Sequence, residues 1–584
     1  MPKAAGAREF DRLEAMDVRP DWILPEGPAA GSLRDRVLAR RGLTGDRDRQ
    51  LFAGPTPPLS LLREPASLPG ADAVAAALDA WLKDGLSIAV YGDYDADGIC
   101  AAAIVARVLR LFGGNPRTFV PHRVDEGYGL HADALRELHA QGVRAVVTVD
   151  CGISSFAEAE VAEQLGLRLA ITDHHRPTFD DAGVARTPRA EAVAHPSLGG
   201  CPFEAISGSV VALKVAKRLI RLRVGERPPA LILQWVADVG VPLAAMGLVP
   251  DVMPLLDENR VLVANALRRL PSCPLPGVQA LLRAARSNGE ALDARTLSHA
   301  IGPRLNALGR IDDATGALRL LETDDPAEAR TIARRIEATN EERKTRQDEL
   351  IALAEARARE LGLDAPDRVS VVMADASWHP GLLGLAAGRL VDRLHRPVVL
   401  FGGEGQHMKA SGRAPLGIDL HDCMKACGEH LVKFGGHAAA AGGSIEPAKV
   451  AAFAEAFERA VRQRIEGGAR ASALQIDASM PAWAAMDALP EIQSMQPYGK
   501  DFREPLIHCG ELRVRSARTM GGGEHLKVQA QEAGSLRTVS LLMWRQGRRA
   551  GEFRTGRLLE VVGTPRSNPQ WGDDFEVTDF RFVD

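Results

Sequence analysis

The chain has 584 residues, of which 46% are hydrophobic and 25% charged, and its formal net charge is −4. This length predicts about three or four domains, and the composition excludes a disordered or fibrous protein. No apolar stretch is long enough to span a bilayer, and the charged N-terminus lacks the apolar core of a secretory signal, so we expect a cytoplasmic protein without membrane contacts. The seven cysteines are scattered, which argues against a disulfide framework.

Residues 1–68 are rich in proline and glycine and contain one helical pattern, over 32–42. We expect them to form an extension packed on the core. A helical pattern then leads into an apolar strand over 86–90 and the sequence YGDYDADG over 91–98. Strand and helix patterns alternate through 69–270, which predicts an α/β domain built on a parallel sheet.

Three carboxylates stand at alternate positions in this motif, at Asp93, Asp95 and Asp97, and Gly98 closes it. Clustered carboxylates repel one another in a partly dry site, so the pattern indicates a bound cation. The sequence D-x-D-x-D-G also opens the calcium loop of the EF-hand. That loop requires glutamate at its twelfth position, where this chain has Ile104, and a helix before it, where this chain has a strand pattern.

Two further predicted strands end at polar residues. The strand over 143–149 ends at Asp150, and the strand over 167–172 ends at three consecutive polar residues. Those three residues are Asp173, His174 and His175. Ligands of parallel sheets bind beyond the carboxyl ends of the strands, so we expect the acidic clusters to share one site. Asp251, between apolar residues of 247–255, is a further candidate.

These residues supply mostly hard oxygen ligands together with one imidazole. Such a set suits Mn²⁺ or Mg²⁺ better than Zn²⁺. The proposed ligands are Asp93, Asp95, Asp97, Asp150, His174 and Asp251. Five carboxylates exceed the needs of one ion, so we expect two ions that share a bridging aspartate. His175 could contact a phosphate or protonate a leaving oxygen, and Asp173 could orient a histidine. The predicted chemistry is metal-assisted hydrolysis of a phosphoester.

The region 271–365 contains a long helical pattern, which Asp325 can cap and Gly362 can end. A helix of this length spans roughly 50 Å. Its middle, 337–349, is almost wholly polar, so we expect the helix to bridge two domains through solvent.

Strand and helix patterns over 366–465 predict a second α/β domain that binds substrate. Its glycine-rich turn is predicted to open an alanine-rich helix, where free amides could hold an anion, with Ser411 and Arg413 nearby. The turn consists of Gly435, Gly436 and His437. Over 466–584, five short alternating strands predict a small barrel such as the oligonucleotide-binding (OB) fold, with Trp544 or Trp571 able to stack on bases.

The motifs GDYDADG, VDCG, TDHH and PDVMPL, in this order and spacing, resemble the four motifs of the DHH phosphoesterases. Within that superfamily, GPRLNALGR, SWHPGLLGLAAGRL, SGR and FGGHAAAAGG resemble the bacterial exonucleases that degrade single-stranded DNA from 5′ to 3′. The resemblance implies a two-lobed core, a long connecting helix and an OB-like barrel. It also implies two Mn²⁺ or Mg²⁺ ions, release of 5′-mononucleotides and a role in DNA recombination and repair.

Carried over by position, the resemblance implies metal and catalytic roles for the residues given above. It further implies that seven residues hold phosphates of the strand, including its 5′ end. They are Arg123, Arg304, Ser411, Arg413, Gly435, Gly436 and His437. The implied partners are single-stranded DNA, a single-strand DNA-binding protein and a recombination helicase, and the chain is expected to be a monomer.

Three stretches depart from the family pattern: GLVPDVMPL around Asp251, AHP at 194–196, and PYGKDFREP at 497–505. None removes a proposed ligand. Two alternatives remain at this stage: a DHH phosphodiesterase acting on short oligonucleotides, and a catalytically silent replication scaffold. DHH phosphodiesterases that act on short oligonucleotides are generally shorter and lack the barrel. The replication scaffolds have lost much of the set of clustered acidic residues.

Overall fold

The structure is a computed structural model of the chain. It describes residues 21–26, 31–122, 127–285, 292–311, 314–365, 367–415, 417–466, 473–532, 534–568 and 572–583. The phosphate contact predicted for Arg123 and the stacking predicted for Trp571 lie outside the described residues.

The N-terminal segment joins the first domain to the C-terminal barrel. It contains β1 (Trp22–Ile23), α1 (Leu33–Arg40) and α2 (Asp46–Leu51). The buried side chains of α1 and α2 belong to the apolar cluster of the barrel, and Arg41 pairs with Asp477 at 2.9 Å. On the other side, Arg47 and Arg63 both pair with Asp257 of the first domain. The segment therefore contacts both units, where the sequence had suggested packing on the core alone.

The first domain is built on a parallel sheet in the order β3-β2-β4-β5-β6. Its strands are β2 (Ile88–Gly92), β3 (Arg117–Phe119), β4 (Ala145–Val149), β5 (Arg168–Thr172) and β6 (Ala192–Ala194). Every residue of β2 and β4 is buried, because helices cover both faces of the sheet. The chain leaves β2 in one direction and β4 in the other, so a crevice opens between their carboxyl ends.

The helices around this sheet are α3 (Ala71–Lys83), α4 (Ala96–Leu111), α5 (Ala132–Ala140), α6 (Phe156–Gln164), α7 (Gly208–Val224), α8 (Ala230–Leu248) and α9 (Asp257–Arg269). Of these, α8 is long and apolar enough to cross a membrane by length and composition. The sequence had predicted no such segment. More than half of the helix, 56%, is buried inside the protein, as in the core helix of a globular domain.

A long helix connects the two lobes. After α10 (Pro276–Ala285), α11 (Gly302–Ile311) and α12 (Thr315–Glu322), α13 runs for 35 residues from Pro326 to Glu360. The side chain of Asp325 caps it by accepting a hydrogen bond from the amide of Ala327 at 2.8 Å. Its middle is less solvated than predicted, because Asn340 and Arg343 are buried and hydrogen-bonded to each other.

The second lobe has a mixed sheet in the order β10-β11-β9-β8-β7, with only β7 and β8 parallel. Its strands are β7 (Val371–Ala374), β8 (Val398–Gly402), β9 (Met408–Arg413), β10 (Leu431–Gly436) and β11 (Ala440–Ile445). Its helices are α14 (Pro380–Leu394), α15 (Leu420–Ala426) and α16 (Val450–Glu466). They cover the two faces of the sheet in separate apolar clusters.

The glycine-rich turn of this lobe is a hairpin and not the start of a helix. Gly435 and Gly436 end β10, and the amide of His437 donates to the carbonyl of Ala440 at 2.8 Å. Gly436 has φ of 142°, and a Cβ there would lie 2.5 Å from the Ala440 oxygen. The alanines that follow pair in β11. The predicted helix dipole is therefore absent at this turn.

The C-terminal unit is a closed five-stranded barrel in which β14, β15, β16, β18 and β17 follow one another and β17 pairs again with β14. Its elements are β12 (Leu474–Gln475), β13 (Ala478–Ser479), α17 (Ala482–Asp487), α18 (Leu489–Ser494), β14 (Ile507–Met520), β15 (His525–Glu532), β16 (Thr538–Met543), β17 (Leu558–Asn568) and β18 (Gly572–Phe582). Closure removes the exposed edges of the sheet. The two-lobed α/β core with an OB-like barrel is confirmed.

Candidate metal centre

The triple-aspartate motif lies at the carboxyl end of β2 and in the first turn of α4. Asp95 is the N-cap of α4, and its Oδ1 accepts hydrogen bonds from the amides of Asp97 at 2.9 Å and Gly98 at 3.1 Å. This use of one oxygen leaves Oδ2 of Asp95 for another partner. Asp93 and Asp97 are both almost fully buried. The local geometry thus places three carboxylates at one end of the sheet.

Asp150 follows β4 at the same end, across the crevice from Asp93. Its φ of 61° is in the left-handed region, which aspartate tolerates better than most residues. Its amide donates to the carbonyl of Thr172 at the end of β5, which fixes this strained position. The carboxylate is buried and lies beside His174, with 3.1 Å between Asp150 Oδ1 and His174 Nε2.

His174 also faces two other carboxylates. Its Nε2 lies 3.6 Å from Asp251 Oδ2 and 3.8 Å from Asp97 Oδ2. Ligand atoms of Asp97, His174 and Asp251 lie within 4.8 Å of one another, as do those of Asp93, Asp95 and Asp150. These two groups of ligand atoms are adjacent, and a third group, formed by Asp150, His174 and His175, overlaps both. Asp150 belongs to one group and touches His174 of the other, so it is placed to bridge two ions.

The state of these side chains fits cation binding. Asp150 Oδ1, His174 Nε2 and Asp251 Oδ2 are buried and form no hydrogen bond within the described parts of the chain. Burial and the neighbouring carboxylates raise the pKa of Asp150 well above its usual value and that of Asp251 to about 9. Burial lowers the pKa of His174, which favours the neutral imidazole that binds metals. A cation would relieve the repulsion and satisfy these atoms.

Asp173 is fully engaged by its own neighbours. Its Oδ1 accepts hydrogen bonds from the amides of His174 at 2.7 Å and His175 at 3.1 Å. The same oxygen lies 2.8 Å from His175 Nδ1. Its Oδ2 accepts a hydrogen bond from the amide of Ile153 at 3.0 Å. Burial alone would raise the pKa of Asp173, but the histidines and these hydrogen bonds lower it below its usual value. Asp173 therefore holds the ring of His175 through Nδ1, and its role in catalysis stays a prediction.

His175 is the protonatable group at the mouth of the site. Partial burial lowers its pKa, but the hydrogen bond to Asp173 and the surrounding carboxylates outweigh this effect and raise it to about 9. Its ring packs against Tyr128, with 4.8 Å between the ring centroids. Because Nδ1 faces Asp173, Nε2 is the nitrogen that remains to contact a substrate.

The sequence missed the residues that hold Asp97. At the start of α7, the amide of Gly208 donates to Asp97 Oδ2 at 2.6 Å, and Ser209 donates to Oδ1 through its amide at 3.2 Å and its hydroxyl at 2.5 Å. The sequence offered only Ser-Gly-Ser before an apolar helical pattern, which is typical of the N-terminus of a helix. Nothing in it identified a distant aspartate as the acceptor.

Arg304, a predicted phosphate ligand, is held by protein groups in this structure. Its guanidinium forms a two-pronged ion pair with Glu337 of α13, at 2.6 and 2.8 Å, and donates to the carbonyls of Ala284 and Ala300. The side chain is almost fully buried. These four contacts fix α13 to the first lobe, and the phosphate role that the sequence suggested for Arg304 stays a prediction.

The other predicted phosphate ligands cluster on the second lobe. Ser411 and Arg413 project from one face of β9, and Arg413 Nη1 lies 3.4 Å from Ser411 Oγ. The sheet register aligns Ser411 with Gly442 and Gly442 with Gly435. A Cβ at Gly435 would meet no atom within 4 Å, so a ligand could approach its backbone closely. His437 lies in the adjoining turn.

A cavity of about 620 Å³ lies between the loop after α8 and the barrel. Its lining includes Val252 and Met253, which directly follow Asp251, and four basic side chains. Those are Arg295, Lys500, Arg503 and Arg566. The lining also includes Glu504 and Glu576, and both pair with Arg566. The positive charge that could attract a polyanion here therefore comes mainly from Lys500 and Arg503.

Family models match the chain in three places: the DHH family N-terminal domain at 87–238, the DHHA1 domain at 367–463 and the RecJ OB domain at 476–574. The chain is a DHH-family protein. Its relatives include the single-stranded-DNA-specific exonuclease RecJ of Escherichia coli, 34% identical over 77% of this chain and 79% of the relative. RecJ of Thermus thermophilus is also 34% identical, over 84% of this chain and 67% of the relative. The chain belongs to the RecJ family.

Solved structures agree with this assignment. The crystal structure of RecJ from Thermus thermophilus in complex with Mn²⁺ matches with a TM-score of 0.77 at 28% identity, covering 96% of this chain and 79% of the other. A crystal structure of exonuclease RecJ bound to manganese matches with a TM-score of 0.59 at 32% identity, covering 70% of this chain and 98% of the other. Both similar proteins bind manganese.

Proposed function

We propose that this protein is a metal-dependent exonuclease that degrades single-stranded DNA from the 5′ end and releases 5′-mononucleotides. The observation that carries the proposal is the convergence of two groups of ligand atoms at the crevice between β2 and β4. A groove that begins at Val252 and Met253, directly after Asp251, leads toward the OB-like barrel and carries Lys500 and Arg503. Family membership supports the same reading.

Asp93, Asp95, Asp97, Asp150, His174 and Asp251 would hold two Mn²⁺ or Mg²⁺ ions, with Asp150 as the bridge. When bound, such ions activate water and neutralise charge on the phosphoryl group. His175, protonated at neutral pH, would donate a hydrogen bond or a proton to the leaving 3′ oxygen of the terminal nucleotide. Asp173 would hold the ring in the required orientation.

The polarity of the reaction would come from the second lobe. Ser411, Arg413 and the backbone at Gly435 lie together on one sheet face, where they would bind the terminal phosphate. The rest of the strand would run through the groove at Lys500 and Arg503 toward the barrel. An OB-like barrel at the end of this groove suits a single strand with exposed bases.

We further infer, from the family resemblance, a role in recombination and repair, a monomeric and cytoplasmic protein, and cooperation with a single-strand DNA-binding protein and a recombination helicase. The barrel and the complete ligand set make the two alternatives less suitable. A phosphodiesterase for short oligonucleotides would have no use for the barrel, and a silent scaffold would have no use for buried, unpaired ligand atoms.

The test uses the full chain with Mn²⁺ and three substrates: single strands labelled at the 5′ end, single strands labelled at the 3′ end, and blunt duplexes of the same sequence. We expect immediate release of labelled mononucleotide from the 5′-labelled strand, slow shortening of the 3′-labelled strand, and little cleavage of the duplex. A chelator should abolish all release. Early loss of the 3′ label would overturn the proposed polarity, and an inert protein would support the scaffold.

A further inference from the structure

Ser209 makes a buried contact with a proposed metal ligand that comes from a distant part of the chain. Its hydroxyl lies 2.5 Å from Asp97 Oδ1, and both residues are buried. The hydroxyl also lies 2.9 Å from the carbonyl of Ala244 in α8 and 2.9 Å from the hydroxyl of Ser207. It thus lies where the first turn of α7, the first turn of α4 and the C-terminal part of α8 meet.

The hydroxyl has one proton and three possible acceptors, Asp97, Ala244 and Ser207. When Asp97 is ionised, as a metal ligand must be, the carboxylate is the stronger acceptor and the hydrogen bond to it is charge-assisted. Ser207 can then donate to the Ser209 oxygen. Gly247 closes the space from the other side, because a Cβ there would lie 2.3 Å from Asp97 Oδ1 and 2.5 Å from Ser209 Oγ. The two side chains have no room to separate.

This contact determines which oxygen of Asp97 can reach a metal. Oδ1 is turned toward Ser209, which approaches it with both its amide and its hydroxyl. Oδ2 accepts from Gly208 and faces His174 at 3.8 Å, on the side of the ligand group that includes Asp251. The carboxylate is therefore presented to that group through one oxygen only, in a fixed rotamer.

We propose that Ser209 is a positioning residue of the metal centre, which fixes Asp97 as a ligand through Oδ2 for the ion shared with His174 and Asp251. Partners of this kind orient a ligand, and their loss typically weakens metal binding about 10- to 100-fold. Because the amides of Gly208 and Ser209 still hold Asp97 without the hydroxyl, we expect a loss near the lower end, about tenfold, and at one ion only. The proposal rests on the proposed metal centre.

The test measures Mn²⁺ binding to the full chain by calorimetry and by the electron paramagnetic resonance of free Mn²⁺. The variants are Ser209→Ala and, as a matched control one hydroxyl further away, Ser207→Ala. We expect Ser209→Ala to lower the affinity for one of the two Mn²⁺ ions about tenfold and to leave the affinity for the other unchanged. Ser207→Ala should stay within about twofold of the native chain. The native chain and the two variants should have similar melting temperatures in chelator. This comparison separates an effect on metal binding from an effect on folding.

The possible outcomes are distinct. If the native chain binds no Mn²⁺, the proposed metal centre itself is wrong. If the native chain binds two ions and Ser209→Ala binds both equally well, only the role of Ser209 is overturned. Equal losses in both alanine variants would also overturn it, since they would indicate a packing effect. Should Ser209→Ala fail to fold, Ser209→Cys fills the space with a slightly larger side chain and a weaker donor, and the same selective loss at one ion is expected.

Discussion

The imidazole Nε2 of His174 lies 3.1 Å from Oδ1 of Asp150, although the two residues end different strands of the first sheet. The contact joins the two groups of ligand atoms into one centre. It arises because β4 and β5 are parallel neighbours, so the residues that follow them emerge at the same edge. Neither atom has a hydrogen-bond partner within the described residues, which suggests that a cation belongs between them.

Asp150→Asn is expected to remove most of the cleavage activity while leaving the fold intact. The amide keeps the shape of the side chain but loses the charge that two cations require. We expect the rate of mononucleotide release to fall by more than about 100-fold. Loss of a residue that only orients a metal ligand already costs up to about 100-fold, and loss of a ligand should cost more. Initial rates on 5′-labelled single strands would measure it.

The matched control is Asp422→Asn. Asp422 belongs to an exposed acidic cluster with Asp419 and His421 in the second lobe, and the sequence did not assign that cluster to the site. This variant should retain native activity. Native rates in Asp150→Asn would contradict the bridging role, and a loss in Asp422→Asn would show that the centre has been placed in the wrong lobe.

Metal binding is expected to release protons and to strengthen as the pH rises. In the metal-free protein, burial and the neighbouring carboxylates raise the pKa of Asp251 to about 9, so this carboxyl is largely neutral at pH 7, and the same causes raise the pKa of Asp150 well above its usual value. A cation binds the ionised forms and must displace these protons. Between pH 6 and 8.5 we expect release of about one to two protons per chain, with Mn²⁺ affinity rising about tenfold per pH unit for each proton.

The raised pKa of these carboxyls also makes the stability of the folded protein depend on pH. A carboxyl whose folded pKa is raised stabilises the fold at low pH, and that contribution is lost between its unfolded value, near 4, and its folded value, about 9 for Asp251. Chelator should therefore lower the melting temperature more at pH 8.5 than at pH 6. Calorimetry in buffers of different ionisation enthalpy counts the protons. Binding without proton release would contradict the assigned pKa values.

Asp173→Asn is expected to shift the alkaline limit of activity. The hydrogen bond to Asp173 helps raise the pKa of His175 to about 9, so the imidazolium persists through neutral pH. If His175 donates a proton, activity falls as the pH rises through this value. An asparagine removes the charge, so the fall should begin at lower pH. The dependence of kcat/KM on pH from 6 to 10 would show the shift.

A suitable control for this profile is Asp180→Asn. Asp180 is exposed, follows the same motif along the chain and makes only local turn hydrogen bonds. Its profile should equal that of the native protein. An unchanged alkaline limit in Asp173→Asn would show that His175 acts by hydrogen bonding alone or that metal-bound groups set the limit.

Arg304→Met is expected to loosen the long helix rather than to weaken DNA binding. The substitution leaves Glu337 without its ion-pair partner and two carbonyls without a donor. We expect a loss of about 2–3 kcal/mol in the free energy of unfolding, since a largely buried charged hydrogen bond is removed. Glu337→Gln should cost about 1 kcal/mol, because Glu337 is one-third exposed.

The double variant measures whether these losses share one cause. If the ion pair is the cause, the double variant should lose less than the sum of the single losses. Urea denaturation gives the energies, and fluorescence anisotropy gives the affinity for 5′-phosphorylated strands. A strong loss of affinity in Arg304→Met with native affinity in Glu337→Gln would support the phosphate role that the sequence suggested.

The candidate metal ligands could be grouped from the sequence because each follows a recognisable strand or lies in a short apolar setting. Parallel sheets bring such positions to one edge, so Asp93 and Asp150 could be grouped before any coordinates were known. The glycine-rich turn could not be predicted in the same way. Glycine and alanine fit a tight hairpin and a helix N-terminus equally well, and only pairing with β9 decides between them.

The sequence alone determined the order of domains, the long connecting helix, the ligand types and hence the class of chemistry, because these follow from local periodicity, capping residues and the charges of short motifs. The tertiary structure decided which oxygens face the centre, that Arg304 is occupied by Glu337, and that Ser209 holds Asp97. Those contacts join residues 33 and 112 positions apart along the chain. Their partners are selected by packing between helices, which leaves no pattern in the local sequence.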